Sequence, residues 1–273
     1  MPELPEVETT LKALRPLLLA NRFLKVEILR PDMVTDPAKV RRLIKGLRVI
    51  EVKRHGKYLF INLEKKLTLI LHLRMSGRLA IRRVSEPELR HERIRFHLEK
   101  GLILVFNDPR TLGRISLYPT DSLCKHPSLK KLGPDAISVS EKDFLKRLSN
   151  RKGILKAVLL NQSFVAGIGN IYTDEACFKS GLDPRRKIGG LSISERRRFY
   201  RAIIATLRKG IRNMGTSISD FLGLHGKPGK NQNSLWVYGR KGKLCRRCKT
   251  TLKSTRIQQR TTVWCPKCQR KEP

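Results

Sequence analysis

Four cysteines near the C-terminus, Cys245, Cys248, Cys265 and Cys268, form two C-x-x-C pairs, CRRC and CPKC, separated by sixteen residues. Four thiolates at this spacing surround Zn²⁺ tetrahedrally and leave no position for water or substrate, so the expected centre is structural. The intervening TTLKSTRIQQRTTVW alternates enough to form a hairpin, and so small a unit depends on its metal for folding energy. Lys249, Lys253, Arg256 and Arg260 along it suit phosphate contact, or equally a solvated basic face. The N-terminal MPELPEVE offers a second chemistry. Once Met1 is trimmed, the secondary amine of Pro2 is a nucleophile with the Glu3 carboxylate beside it. The same residues also read as a helix entry, with prolines in the first turn and Glu3, Glu6 and Glu8 complementing the dipole. On the stretch alone both readings stay open. Cys124 and Cys177 stand apart and read as buried small hydrophobes.

Three further stretches carry candidate groups. GIGNIYTDEA, residues 167–176, puts two glycines before a helix, where exposed amides and the Asn170 side chain can bind phosphate. RHGKYL sets Lys57 at the start of a strand near His55, and HLRMSG sets Met75 on a turn. A methionine there is either core or, in a protein that unstacks DNA, a wedge.

These groups must be positioned by folded elements, and the composition allows them. The chain has 273 residues, 40% of them hydrophobic, enough for one large or two ordinary domains with real cores. With 59 Lys and Arg against 23 Asp and Glu, the formal charge of +36 calls for a polyanionic partner, nucleic acid or an anionic surface. No run approaches the ~18 apolar residues of a membrane span, and the acidic N-terminus lacks the regions of a signal peptide, so an intracellular protein is expected. Leu4, Val7, Leu11 and Leu14 recur at helical spacing, with Pro16 expected to kink or end the helix. FLKVEIL, LRVIEVKRH, YLFINLE, LTLILHL, RIRFHLE, LILVFN and RISLYP read as strands with too little helix between them for parallel crossovers. An antiparallel sandwich or barrel is predicted. Helices are predicted over 140–150, 154–160, 171–179 and 192–213, with capping boxes at Ser140–Asp143 and Ser192–Glu195, and a short fifth over 216–222. GLHGKPGKNQNS reads as a mobile loop, too polar and glycine-rich to pack.

MPELPEVE, RHGKYL, HLRMSG, NDPRTLG, GIGNIYTDEA, GKPG followed by VYGRKG, and the four-cysteine finger occur together in the order and spacing of bacterial formamidopyrimidine-DNA glycosylases. The chain resembles that family from its first residue to about Cys268, and PELPE favours it over the sibling endonuclease VIII branch, whose members usually begin PEGPE. The resemblance implies an α+β fold: an N-terminal helix plus antiparallel β-sandwich over 1–120, a linker over 121–136, a helix-two-turns-helix DNA-binding domain with a lesion-capping loop over 137–235, and a zinc finger over 236–273. It implies a bifunctional glycosylase and abasic-site lyase of base excision repair that removes oxidised purines from double-stranded DNA, 8-oxoguanine paired with cytosine and formamidopyrimidines above all. The enzyme would be monomeric, cytoplasmic and nucleoid-associated, with one structural Zn²⁺ and no membrane partner.

Residue by residue, the resemblance makes Pro2 the nucleophile that attacks the sugar C1′, Glu3 the proton donor and Lys57 a cation near the lesion. Glu6 becomes a binding-pocket residue. His72, Asn170 and Arg260 would grip phosphates around the everted nucleotide, Met75 and Arg110 would fill the vacated stack, and His91 would contact DNA. Three departures stand out. Leu112 replaces a common phenylalanine wedge, Arg93 replaces a second histidine, and Gln259 replaces a glycine where a left-handed turn is needed. A pyrimidine-preferring relative and a non-catalytic DNA-binding protein on the same scaffold are the rival readings.

Overall fold

The computed structural model describes residues 1–218 and 221–270. In chain order these form α1 (Leu4–Leu18), β1 (Phe23–Ile28), β2 (Val34–Thr35), α2 (Pro37–Ile44), β3 (Val49–His55), β4 (Tyr58–Leu63), β5 (Leu67–His72), β6 (Arg78–Arg83), β7 (Glu92–Leu98), β8 (Leu102–Asn107) and β9 (Arg114–Pro119). There follow α3 (Glu141–Ser149), α4 (Leu155–Leu160), α5 (Asn170–Ser180), α6 (Ile193–Arg212), β10 (Lys253–Ile257) and β11 (Arg260–Trp264). The chain is α+β and divides into two compact units, Met1–Lys130 with Asn213–Gln232, and Lys131–Arg212 with Asn233–Pro273.

The first unit is a β-sandwich. One sheet runs β1-β7-β8-β6 and the other β2-β9-β5-β4-β3, every pairing antiparallel except the two-residue β2–β9 bridge. ERIRFHL of β7 alternates buried and half-buried positions, as a strand with one face on a core should, whereas LTLILH of β5 is covered on both faces. Val7, Leu11, Leu14 and Leu18 of α1 join Phe23, Phe96, Leu104 and Phe106 in one core. Helix α1 runs two residues past Pro16, which is exposed on its last turn, and ends at Leu18.

Three elements of this unit escape the sequence pattern, β2 because it is only two residues long. β6, RLAIRR, hides because Arg82 is buried, its guanidinium held by Glu92 at 2.8 Å, so a charge occupies a position where an apolar residue is expected. α2 begins with Asp36 accepting from the Lys39 amide and Pro37 in the first turn. Cys124, expected in a core, is exposed on the 3-10 helix Thr120–Lys125, which buries none of its residues; Cys177 is buried as expected.

In the second unit both predicted N-caps are present, but only the one at Ser192 is a full capping box, since the Asp143 carboxylate accepts the Ser140 hydroxyl rather than its amide. Ser140 Oγ accepts from the Asp143 amide at 3.1 Å, and at α6 Ser192 and Glu195 make the reciprocal pair, 3.2 and 2.9 Å. The expected fifth helix is absent from residues 216–218 and 221–222; Ser219 and Asp220 lie outside the described residues. Among the described residues no helix is long and apolar enough to cross a membrane.

Candidate active site and zinc centre

Helix entry and chemistry coexist at the N-terminus. Glu3 is the N-cap of α1 and only 2% exposed: its amide donates to Glu6 Oε2 at 2.8 Å, while its carboxylate receives the Glu6 amide. This is a capping box with glutamate in place of serine. Leu4 and Val7 are fully buried behind it, and Arg54 of β3 binds Glu8 at 2.9 Å, so the first turn is bolted to the sandwich. Pro2 is buried, whereas Met1 is 44% exposed. Glu6 also reaches forward, its Oε1 accepting the Thr216 amide at 2.7 Å. At the adjoining Gly215, φ +78°, a Cβ would lie 3.0 Å from Glu6 Cγ, so this close approach requires glycine. One buried carboxylate therefore fixes both the N-terminus and the base of the 215–234 loop.

The described residues of that loop bond to one another. Asn231 donates to Thr216 Oγ1 at 2.8 Å and the Gly229 amide to Ser217 Oγ at 2.8 Å. Leu224 is 2% exposed and belongs to the sandwich core. The polarity that marks this stretch as a loop conceals one apolar anchor.

Lys57 sits in the two-residue connection between β3 and β4, 6% exposed. His72 ends β5, its ring edge-on to Tyr58 at 4.4 Å between centroids. His72 Nδ1 accepts the Arg74 amide at 3.0 Å, which leaves the proton on Nε2. Burial first, then the charges of Arg74 and Lys57, push its pKa down to about 3. At neutral pH His72 is thus an uncharged donor.

The wedge candidates also meet. Arg110 Nη1 lies 3.8 Å from Met75 Sδ, with Met75 half-buried and Arg110 exposed. Their two turns are joined by Asp108, which is fully buried and accepts from Ser76 Oγ (2.5 Å), the Arg110 amide (3.1 Å) and the Gly113 amide (2.8 Å). Arg93 Nε donates to the Asp108 carbonyl at 2.8 Å and its Nη2 to that of Pro109 at 3.4 Å, alongside His91 Nδ1 at 3.4 Å. The Arg93 departure is therefore a strut beneath the turn that carries Arg110 and Leu112.

In the second unit Gln162 fastens the glycine turn, receiving the Gly167 amide at 3.0 Å and donating to the Ile168 carbonyl at 2.8 Å. Helix α5 starts at Asn170, whose Nδ2 donates to the Thr261 carbonyl at 3.1 Å, next to exposed Arg260. β10 and β11 pair Ile257 with Arg260, so Gln258 and Gln259 form the whole turn, with φ +48° and +58°. The left-handed turn forms without glycine. Glu175 receives the amides of Trp236, Val237 and Tyr238 at 2.9–3.0 Å and so ties the entry to the finger onto α5.

The four cysteine Sγ atoms lie within 4.8 Å of one another, with Cys245–Cys268 at 3.9 Å and Cys248–Cys265 at 3.4 Å. A tetrahedral Zn–S₄ centre with bonds of about 2.3 Å needs sulfurs roughly 3.8 Å apart, so the donor set fits one structural Zn²⁺.

Comparison with known proteins agrees with this arrangement. Residues 1–115 match the formamidopyrimidine-DNA glycosylase N-terminal domain, 132–221 the H2TH domain of the same glycosylase and 242–270 the zinc finger found in FPG and IleRS. A formamidopyrimidine-DNA glycosylase of Pelotomaculum thermopropionicum is 40% identical, with 99% of each chain covered. The chain belongs to the formamidopyrimidine-DNA glycosylase family. The enzyme of that name from Heliobacterium modesticaldum is 39% identical, covering 99% of this chain and all of its own. A variant of Lactococcus lactis Fpg in complex with Fapy-dG-containing DNA superposes with a TM-score of 0.91 at 32% identity, covering 98% of this chain and 99% of that one. The same score, identity and coverage hold for a Lactococcus complex with abasic-site DNA. As a member of the family the chain is a DNA glycosylase of base excision repair with a structural zinc finger.

The sequence motifs singled out buried side chains such as Glu3, Lys57 and His72 as well as exposed ones such as Arg110, and passed over the side chains that brace their turns. Asp108 and Glu175 stand within NDPRTLG and GIGNIYTDEA and Gln162 stands in no motif; only the Asp-Pro of NDPRTLG hints at a side-chain-stabilised turn.

Proposed function

We propose that this enzyme removes oxidised purines, formamidopyrimidines and 8-oxoguanine, from double-stranded DNA as a monomer, and then cleaves the strand at the abasic sugar. After trimming of Met1, the Pro2 amine attacks C1′, the glycosidic bond breaks and the base departs with a proton. Glu3 protonates the ring oxygen, which opens the sugar and leaves a Pro2 iminium as electron sink. Loss of the C2′ proton with departure of the 3′ phosphate, then of the C4′ proton with the 5′ phosphate, completes β- and δ-elimination. Lys57 supplies positive charge near the sugar. His72, Asn170 and Arg260 hold phosphates, while Met75, Arg110 and His91 occupy and flank the space left by the everted base. The cysteines Cys245, Cys248, Cys265 and Cys268 hold Zn²⁺, which supplies folding energy to the finger and takes no chemical part.

The observation that carries this reading is the double grip of Glu6 on the Glu3 and Thr216 amides, which ties the N-terminal turn to the segment at Thr216. Incubation with a duplex containing a formamidopyrimidine should release the base and leave a one-nucleotide gap with phosphates on both ends. Base release with an intact strand would refute the lyase half. A second reading, activity on oxidised pyrimidines, draws on the Lactococcus complex with an oxidised pyrimidine-containing DNA; excision of thymine glycol faster than of 8-oxoguanine would favour it.

A further inference from the structure

Lys156 of α4 and Asp174 of α5 are both wholly buried, with Nζ 2.6 Å from Oδ1. A buried ion pair is seldom more stabilising than an apolar pair of similar volume, so stability alone is a poor reason for it. The remaining contacts give a better one. Lys156 Nζ also donates to the Thr261 carbonyl at 3.1 Å, and Asp174 Oδ2 accepts the Val263 amide at 3.0 Å. Thr261 and Val263 are alternate residues of β11, the strand that begins with Arg260. Their partners across the hairpin, Arg256 and Ser254, belong to β10, while the pair engages the edge turned toward α5. An ammonium and a carboxylate locked together thus present one donor and one acceptor at the repeat of a strand edge, which no apolar pair can do. The Thr261 carbonyl is shared with Asn170 Nδ2 at 3.1 Å.

From this geometry we infer that Lys156 and Asp174 are positioning residues that set the register of the finger hairpin on α5, so that Arg260 and Asn170 reach DNA phosphates as one unit. The inference rests on the reading of Arg260 as a phosphate contact. Removing both charges together leaves no unpaired buried ion, so the zinc-loaded full chain carrying Lys156→Met with Asp174→Asn should keep its metal and its melting temperature. Its affinity for a duplex containing a tetrahydrofuran abasic analogue should nevertheless fall about tenfold, the scale of one charge-assisted phosphate contact. The slope of log affinity against log salt should shrink by about 0.9, as it should for Arg260→Ala. Adding Arg260→Ala to the double variant should then cost less than twofold more. Asp174→Asn alone keeps an acceptor for Val263 but strands the buried Lys156 ammonium, so it should show the same loss of binding together with a lower melting temperature. If Arg260→Ala in the parent chain leaves binding unchanged, the phosphate-contact reading fails and takes this inference with it. If Arg260→Ala weakens binding but the double variant binds like the parent, or the two effects simply multiply, the positioning role alone is overturned. Loss of zinc from both Lys156/Asp174 variants would also overturn it, because the pair would then serve folding rather than placement.

Discussion

Replacing Glu6 by Gln separates the two jobs of its carboxylate. In the native chain Oε2 accepts the Glu3 amide at 2.8 Å and Oε1 the Thr216 amide at 2.7 Å, and the side chain is 1% exposed. A glutamine has one acceptor and one donor. Its oxygen can stay on the Glu3 amide, since glutamine serves a capping box as well as glutamate does. The amino group then faces the Thr216 amide, donor against donor, and a charge-assisted bond worth about 2 kcal/mol is lost. That loss falls on the loop, not on Pro2 or Glu3. The expected result is a drop of roughly thirtyfold in single-turnover excision of a formamidopyrimidine base. Incision of a preformed abasic site, which has no base to cover, should change by less than about threefold. Equal losses in both reactions, or no loss in either, would show that Glu6 does not couple the loop to base recognition.

His72 gives a pH prediction. Its imidazole stays neutral in the folded chain down to about pH 3, against 6.5 for the ordinary group. Between those values the unfolded chain takes up a proton that the native chain refuses, so this stabilisation is full above pH 6.5 and is lost as pH falls. About 1 kcal/mol should disappear between pH 6.5 and 5.5, and a His72→Gln chain with the same slope of stability against pH would exclude the effect. Gln259→Gly should raise the melting temperature by roughly 2 °C by relieving the φ of +58°, the gain being the left-handed penalty less the extra chain entropy of glycine; a lower melting point would contradict it. Arg93→Ala removes both donors to the Asp108 and Pro109 carbonyls. It should narrow the preference for cytosine over adenine opposite 8-oxoguanine while leaving abasic-site incision intact, and an unchanged base ratio would deny the strut any role.

Side chains that announce themselves by rarity or spacing were legible in the sequence: the cysteine pairs, the helix entry at Pro2 and Glu3, the glycines before the helix that starts at Asn170. So were elements with one clean period, such as β7 and the capped α6. What stayed hidden shares one physical cause, a polar group buried because a specific partner satisfies it. Arg82 disguises β6 through Glu92, Asp108 gathers the nearby Arg110 and Gly113 amides with the distant Ser76 hydroxyl, and Glu175 serves amides of a distant segment. Lys156 and Asp174 look like ordinary helix-surface charges until the fold brings α4, α5 and β11 together. Cys124 errs the other way: a residue type usually buried lies exposed on a 3-10 helix none of whose residues is buried.

Borohydride trapping with a duplex containing 8-oxoguanine, followed by intact-mass analysis, tests the central claim most directly. A chain lacking Met1 should form a reduced covalent adduct at Pro2, and Pro2→Gly should form far less. No adduct from the native chain, or equal adduct from both, would contradict the assignment of Pro2 as the nucleophile.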